Sequence, residues 1–189
     1  MRTAKSEEKI ISAYMGLLEE CGTPAEITVF HVSDRAQISR TTFYSYFESI
    51  DALTEHIAKQ LCQNINDMIS GNHMNYGGEF HFRDVYAHVL TYIRDHQLES
   101  KLVLLDDTKV QLLDFIGSGM VHYLTDYYKK NGLDADPAAV EQTAIFWTSG
   151  FVGILKEWVK NGCEEEPERM AELVCQAIDN CSRFISATK

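Results

Sequence analysis

Residues 28–47 read TVFHVSDRAQISRTTFYSYF, and this stretch decides the fold class. Thr28 is suited to cap the N-terminus of a helix, and it precedes apolar side chains at the spacing of one buried helical face: Val29, Val32 and Ala36. Residues 37–39 interrupt that pattern, because Ile38 fits the angle between two helices and Ser39 can cap the next one. The spacing therefore predicts two short helices joined by a tight turn.

The second of these helices has a buried face and an exposed face. Phe43 and Phe47 lie four residues apart and are expected to point inward. The remaining side chains are outward-facing hydroxyls, two tyrosines and one arginine. Such a helix is suited to enter the major groove, where its first residues read base edges and its tyrosines contact phosphates. With the two caps included, the predicted DNA-binding residues are Thr28, Ser39, Arg40, Thr41, Thr42, Tyr44, Ser45 and Tyr46.

This stretch resembles the DNA-binding domain of the tetracycline-repressor (TetR) family of transcriptional regulators. The order and spacing of the matching residues run without a gap between Ile10 and Leu61. The matching residues are Ile27-Thr28-Val29, Arg35-Ala36, Ile38-Ser39-Arg40, Thr42-Phe43-Tyr44, Tyr46-Phe47 and Ala52-Leu53.

The resemblance implies an all-α protein of two domains. Residues 1–50 would form a three-helix DNA-binding domain, with the helix-turn-helix motif at 28–47, and residues 51–189 a helical effector-binding and dimerisation domain. It also implies a sequence-specific DNA-binding regulator. We expect a ligand-responsive repressor that acts as a homodimer on a palindromic operator, with double-stranded DNA, a second copy of itself and a small-molecule effector as partners.

Composition and motifs weigh against other classes of protein. The chain has 189 residues, 45% hydrophobic and 24% charged, and it contains no apolar run of bilayer length and no signal peptide. We therefore expect a cytoplasmic protein. Nucleophile elbows, phosphate-binding loops and dinucleotide motifs are absent, and none of the seven histidines has metal-site spacing. The sequence gives no support to an enzyme, a metal site or a cofactor.

The five cysteines include no C-x-x-C pair. In a cytosolic chain this pattern favours buried packing residues. A redox sensor that uses Cys175 and Cys181 is the alternative. These two thiols lie six positions apart on one predicted helix, so such a sensor would require an intersubunit or mixed disulfide.

The rest of the chain reads as a succession of helices. A long helix over residues 51–70 would link the DNA-binding unit to the remainder, and Gly71 to Gly78 reads as a loop. Helical patterns follow at 80–95, 98–106 and 109–130. Asp136 and Pro137 predict the start of a helix that ends near Asn161-Gly162, and Pro167 opens a last helix that reaches about Ala187.

The last two helices carry more apolar surface than one buried face requires. Within 137–160 the apolar residues form two adjacent stripes, and Gly150 and Gly153 would allow another helix to approach closely. Two copies could form a four-helix bundle across a two-fold axis, and Phe146 to Trp158 resembles the dimerising part of one TetR subgroup. The alternative is that both helices fill the core of the monomer. The predicted interface residues are Trp147, Phe151, Ile154, Trp158, Leu173, Ala177 and Cys181.

Aromatic and polar residues alternate in the middle helices. By resemblance, this region would hold the effector pocket, with apolar walls and a few polar groups. A well-packed helical core is the alternative. The predicted pocket residues are Tyr86, Phe115, Tyr123, Tyr127 and Trp147.

The net charge of −11 is unusual for a DNA-binding protein. Residues 1–50 carry five basic and seven acidic side chains, −2, so the other 139 residues carry −9. Ile50 stands where family members commonly have a phosphate-binding lysine, and Phe30 where a polar or basic residue is common. These features leave open an alternative, a TetR-like co-regulator or adaptor with weak or no DNA binding.

Overall fold

A computed structural model of the chain describes residues 2–75, 82–104, 121, 124–125, 129 and 136–186. Within these ranges the regular structure is helical, with one short 3₁₀ helix at Pro24–Glu26 and no strand. The all-α prediction is confirmed. The α-helices are α1 (Arg2–Cys21), α2 (Val29–Ala36), α3 (Arg40–Tyr44), α4 (Ile50–Asn75), α5 (Phe82–Asp95), α6 (Gln97–Leu104), α7 (Pro137–Lys160) and α8 (Pro167–Ser186).

The chain divides into two compact units, Met1–Leu61 and Cys62–Lys189. The expected domain boundary lay between residues 50 and 51, at the start of α4. The division instead falls inside α4, so the first turns of this helix belong to the same unit as α1, α2 and α3.

The first unit is held together by a small apolar core and one buried hydrogen bond. Tyr14 is fully buried, and its hydroxyl lies 2.7 Å from Oγ1 of Thr54. The single hydroxyl proton of Thr54 is donated to the carbonyl of Ile50 at 2.9 Å, so the Tyr14 hydroxyl is the donor of the first bond. This pairing satisfies a buried polar group that α1 contributes to the core. The core residues are Ile10, Leu18, Ile27, Val32, Phe43, Phe47, Leu53 and Ile57.

The helix boundaries follow the local signals in the sequence. Gly22 has a φ of +74°, and its N–H donates to the carbonyl of Leu18, which ends α1. The Asp136 carboxylate accepts a hydrogen bond from the N–H of Ala138 at 3.1 Å and caps α7, and Pro167 opens α8. These start and stop positions agree with the sequence predictions.

The loop predicted from Gly71 to Gly78 is wrong over its first five residues. α4 continues to Asn75, because one glycine inside a helix costs only about 1 kcal/mol relative to alanine and such a cost is readily offset. Residues 76–81, and most of the predicted helix at 109–130, lie outside the described part of the chain.

In the second unit α5 packs against α8 and α6 packs against α7. α5 contributes the buried side chains Val85, Val89, Leu90 and Ile93. At its end, the guanidinium of Arg94 lies 2.7 Å from the carboxylate of Glu166, just before α8. The indole N–H of Trp158 donates to the carbonyl of Glu165 at 3.0 Å, so both contacts fasten the α7–α8 turn.

The cysteines differ in exposure, which partly corrects the expectation of buried packing residues. Cys62 and Cys163 are buried, and burial raises the pKa of both thiols. Cys175 is partly buried, whereas Cys21 is exposed because it is the last residue of α1, beside the exposed Gly22. The side chain of Cys181 lies outside the described residues.

Candidate nucleic-acid interface

The turn between α2 and α3 is built by two backbone features. Gln37 adopts a left-handed conformation with a φ of +54°, and the N–H of Ile38 donates to the carbonyl of Ser33 at 3.0 Å. Phe43 is fully buried and anchors α3 to the core, and Phe47 is buried behind it. α3 is shorter than the sequence suggests, since the chain turns after Tyr44 with the N–H of Phe47 still bonded to the carbonyl of Phe43.

The start of α2 is fixed by a reciprocal cap. Oγ1 of Thr28 accepts a hydrogen bond from the N–H of His31, and Nδ1 of His31 accepts one from the N–H of Thr28, both at 3.3 Å. The cap at Thr28 was predicted, but the return bond from His31 was not. Glutamate or glutamine is the usual partner in this position, so the sequence gives little signal for histidine.

Hydroxyl groups also hold both ends of α3. Oγ of Ser39 accepts a hydrogen bond from the N–H of Thr42 at 3.0 Å and lies 2.8 Å from the Thr42 hydroxyl. The Ser45 hydroxyl donates to the carbonyl of Thr42 at 2.6 Å. Together with Thr28, these residues make up half of the predicted DNA-binding set, and the structure gives each of them a part in local hydrogen bonding.

The other half of that set consists of Arg40, Thr41, Tyr44 and Tyr46. Arg40 and Thr41 are exposed on the first turn of α3, and Tyr44 is 56% exposed on its last turn. Tyr46 is partly buried just beyond the helix. Thr28, Ser39 and Ser45 are also exposed, so the two halves differ in that one makes local hydrogen bonds to the backbone, not in exposure.

The two arginines near the motif have different surroundings. The guanidinium of Arg35 pairs with the Glu20 carboxylate at 2.8 Å, and it lies across Gly16, where an added Cβ would come within 2.8 Å of it. The guanidinium of Arg40 instead lies over the ring of Phe30, 5.0 Å from the ring centroid. Phe30 is itself 54% exposed, so the Arg40 side chain remains at the surface, at the start of α3.

A second exposed region lies in α7 and α8. Phe146 is 62% exposed, and Ile145, Ile154 and Leu173 are also solvent-exposed. A Cβ added at Gly150 or Gly153 would meet no atom within 4 Å, so the surface beside these glycines is open. Ile145 and Phe146 were not among the predicted interface residues, although Phe146, Gly150 and Ile154 share helical spacing of four.

The predicted interface residues do not all lie at the surface. Ile154, Leu173 and Ala177 are exposed, whereas Phe151 is partly buried and its ring packs 5.1 Å from that of Tyr86. Trp158 is the correction, because it is buried in its own chain and its indole N–H is bonded to the Glu165 carbonyl. Trp158 follows the exposed Ile154 by four residues, so helical spacing alone does not predict its burial, which follows from the packing of the α7–α8 turn.

Of the predicted pocket residues, Tyr86 and Trp147 belong to the described part of the chain. Trp147 is partly buried, and its indole N–H is buried without a hydrogen-bond partner, as is Oγ1 of the adjacent Thr148. An unpaired buried donor is unfavourable in a folded protein. Phe115, Tyr123 and Tyr127 lie outside the described residues.

Other kinds of site find no support in the described residues. Among them, no three histidine, cysteine or acidic side chains are grouped as metal ligands would be. No helix in these ranges is both long and apolar enough to pass through a bilayer.

Comparisons with known proteins agree with these observations. Residues 80–180, more than half of the chain, match the family model TetR_C_8, described as a transcriptional regulator C-terminal region. No curated protein matches the chain significantly.

Several solved structures share the fold. A TetR-family protein of Syntrophomonas wolfei is 17% identical, with a TM-score of 0.72 over 90% of this chain and 91% of that one. A TetR/AcrR-family regulator of Aquifex aeolicus is 15% identical, with a TM-score of 0.66 over 93% and 99%. The transcriptional regulator FadR of Bacillus subtilis, solved in complex with stearoyl-CoA, is 14% identical, with a TM-score of 0.63 over 89% of this chain and 95% of that one.

Proposed function

We propose that this chain, which belongs to the TetR family of transcriptional regulators, binds a palindromic DNA operator as a homodimer and releases it when a small molecule binds. The observation that carries the proposal is the arrangement of α3. The hydroxyl caps and the buried Phe43 hold α3 against the first unit, while Arg40 and Thr41 remain exposed at the start of the helix. This is where a recognition helix contacts base edges in the major groove.

The proposed base contacts come from the first turn of α3. Arginine can bond to both acceptors of guanine in the major groove, and threonine can bond to a base or contact the thymine methyl group. Tyr44 and Tyr46 are placed for phosphates, which position the protein without reading sequence. The acidic bulk of the chain would then disfavour DNA contact except at this face, which limits non-specific binding.

The exposed apolar side chains of α7 and α8 support a dimer. Phe146 and Ile154 on α7 and Leu173 on α8 are exposed large apolar side chains, and an apolar surface that they shared would mark an association site. The open space beside Gly150 and Gly153 suits a helix from a second copy. A two-fold dimer would bury the same surface on both chains and form a four-helix bundle.

The unpaired donor of Trp147 supports an effector site in the second unit. A ligand that offers a hydrogen-bond acceptor would satisfy the indole N–H, and the ring pair of Tyr86 and Phe151 would provide apolar contact. The chain has two tryptophans, so Trp158→Phe leaves Trp147 as the sole tryptophan, whose emission can be excited selectively over that of tyrosine. A ligand that releases DNA should change the emission of this variant. Release without any change in emission would argue against Trp147 as a ligand contact.

The proposed release mechanism depends on the spacing of two recognition helices. In a dimer, these must stand ~34–36 Å apart to enter successive major grooves. α4 begins directly after the motif and continues to Asn75 in the second unit. A ligand-induced shift of α4 by roughly a tenth of that spacing would prevent both helices from binding at once. This would make the protein a repressor that effector binding switches off.

Selection of fragments from random DNA at low salt tests the proposal. The wild-type protein should enrich one palindromic motif, and Arg40→Ala should weaken binding to it by ~1–3 kcal/mol and relax the preference at one base pair per half-site. The rival function is a co-regulator that does not bind DNA, which the −2 charge of residues 1–50 and the apolar Ile50 favour. Failure to enrich any motif would support that rival.

A further inference from the structure

We infer that Phe30 is a positioning residue for Arg40, and that its ring sets the direction in which the arginine reads DNA. The inference rests on the proposed function, because it assigns to an α2 residue control over a base contact made from α3. Phe30 belongs to neither the buried core nor the set of residues predicted to touch DNA. Its contact with Arg40 gives this exposed aromatic side chain a defined role.

The geometry of the pair leaves the arginine able to bind. The Arg40 guanidinium lies over the ring at 5.0 Å from its centroid, in the range of a cation–π contact. A planar guanidinium that stacks through its face keeps its N–H donors at the edge of the plane. Those donors are the groups that bond to O6 and N7 of guanine. In a face-to-face arrangement, the contact with Phe30 would restrict the long side chain without using the atoms needed for recognition.

The Phe30 side chain is attached to a fixed part of α2. Phe30 follows Thr28 by two residues, and the reciprocal bonds between Thr28 and His31 fix the first turn of α2 around it. The Phe30 ring also lies 5.9 Å from the ring of His31. Arg40 is the first residue of α3, directly after the Ser39 cap. The contact thus connects the fixed start of α2 to the fixed start of α3 across the turn.

A pre-stacked arginine should discriminate better than a free one. Part of the conformational freedom that a long side chain loses on binding is already lost in the unbound protein. An exposed cation–π contact corresponds to about a two- to five-fold change in an equilibrium constant. We expect that factor to appear in base discrimination by Arg40 and in no other base contact.

The stacking is tested first in the DNA-free protein. Side-chain NMR of wild-type protein should show the Arg40 Hδ and Hε resonances shifted upfield by the ring current of Phe30. Phe30→Leu should abolish the shift, whereas Phe30→Tyr, which retains an aromatic ring, should preserve it. Circular dichroism should give the same helix content for all three proteins, because residue 30 is outside the core. An Arg40 spectrum unaffected by Phe30→Leu would overturn the inference.

The second test is a double-mutant cycle on selected DNA. Phe30→Leu should lower base discrimination about two- to five-fold at the base pair whose preference Arg40→Ala also relaxes. Phe30→Tyr should keep the discrimination of the wild-type protein. In the Arg40→Ala background, Phe30→Leu should have no further effect. If Phe30→Leu weakens binding equally in both backgrounds, Phe30 contacts DNA itself and the inference fails. If wild-type protein binds DNA with full discrimination and Phe30→Leu changes nothing, only this inference fails. Wild-type protein that enriches no motif refutes the proposed function and this inference together.

Discussion

Replacement of Ser39 by alanine should loosen α3 without disturbing the rest of the first unit. Oγ of Ser39 accepts the N–H of Thr42 at 3.0 Å, which otherwise has no partner at the start of α3. Loss of an N-cap serine costs ~1 kcal/mol, within a range of about 0.5–2. The second contact, to the Thr42 hydroxyl, adds little because water can replace it there. We therefore expect a loss of ~1 kcal/mol, or about a five-fold change in the opening equilibrium of α3.

Hydrogen exchange and urea unfolding measure this loss. The Thr42 amide should exchange about five-fold faster in Ser39→Ala than in wild-type protein, and Ser39→Asp should restore protection because aspartate is also a good cap. Thr41→Ala is the matched control, since it removes an exposed hydroxyl from the same helix and should change unfolding free energy by less than ~0.5 kcal/mol. On DNA, Ser39→Ala should weaken binding to all sequences alike, whereas Thr41→Ala should alter one base preference. Unchanged exchange at Thr42 would refute the capping argument.

Three further predictions concern other parts of the chain. At pH 8, Ellman's reagent should modify the exposed Cys21 first and the buried Cys62 and Cys163 far more slowly. Burial raises the pKa of the two slow thiols, so less thiolate is present to react. Equal rates in the folded protein would contradict their burial. Phe146→Glu should convert the dimer to a monomer in sedimentation, while circular dichroism shows its helices intact. Lys156→Gln causes the same change in net charge at an exposed position and should leave the dimer unchanged. A Phe146→Glu protein that stays dimeric would place the interface elsewhere. Ile50→Lys should tighten DNA binding and steepen its salt dependence by up to ~1 unit of slope per subunit, and an unchanged slope would mean that residue 50 does not face phosphate.

Local signals in the sequence predicted the helix-turn-helix well. Thr28, Ser39 and Asp136 cap helices as expected, because a capping side chain acts on a backbone group two or three residues away. Phe43 and Phe47 are buried as their spacing indicates. The family resemblance, which rests on this same stretch, is confirmed by the match over residues 80–180.

Features that depend on packing could not be predicted in this way. The spacing of Trp158 suits either the core or an outer surface, and the bond to the Glu165 carbonyl that favours burial requires the α7–α8 turn to be known. Helix propensity is a weak signal, so the residues from Gly71 onward predicted a loop although α4 continues to Asn75. The contact between Phe30 and Arg40 crosses the turn, and ten positions in sequence correspond to no helical spacing. The candidate DNA-binding residues were likewise predicted as one set, and the structure shows which of their hydroxyl groups make hydrogen bonds at the helix ends.

In the proposed dimer, two recognition helices, one from each copy, bind DNA on the same face. The most direct test measures binding to the best selected fragment and to the same fragment with five base pairs inserted between its half-sites. Half-sites that are read together lie about one helical turn apart, roughly 10–10.5 base pairs, or a multiple of that distance. The insertion should therefore reduce affinity to that of a single half-site, and a second insertion of five base pairs should partly restore it. Equal affinity for all three fragments, or binding to none, would contradict the claim.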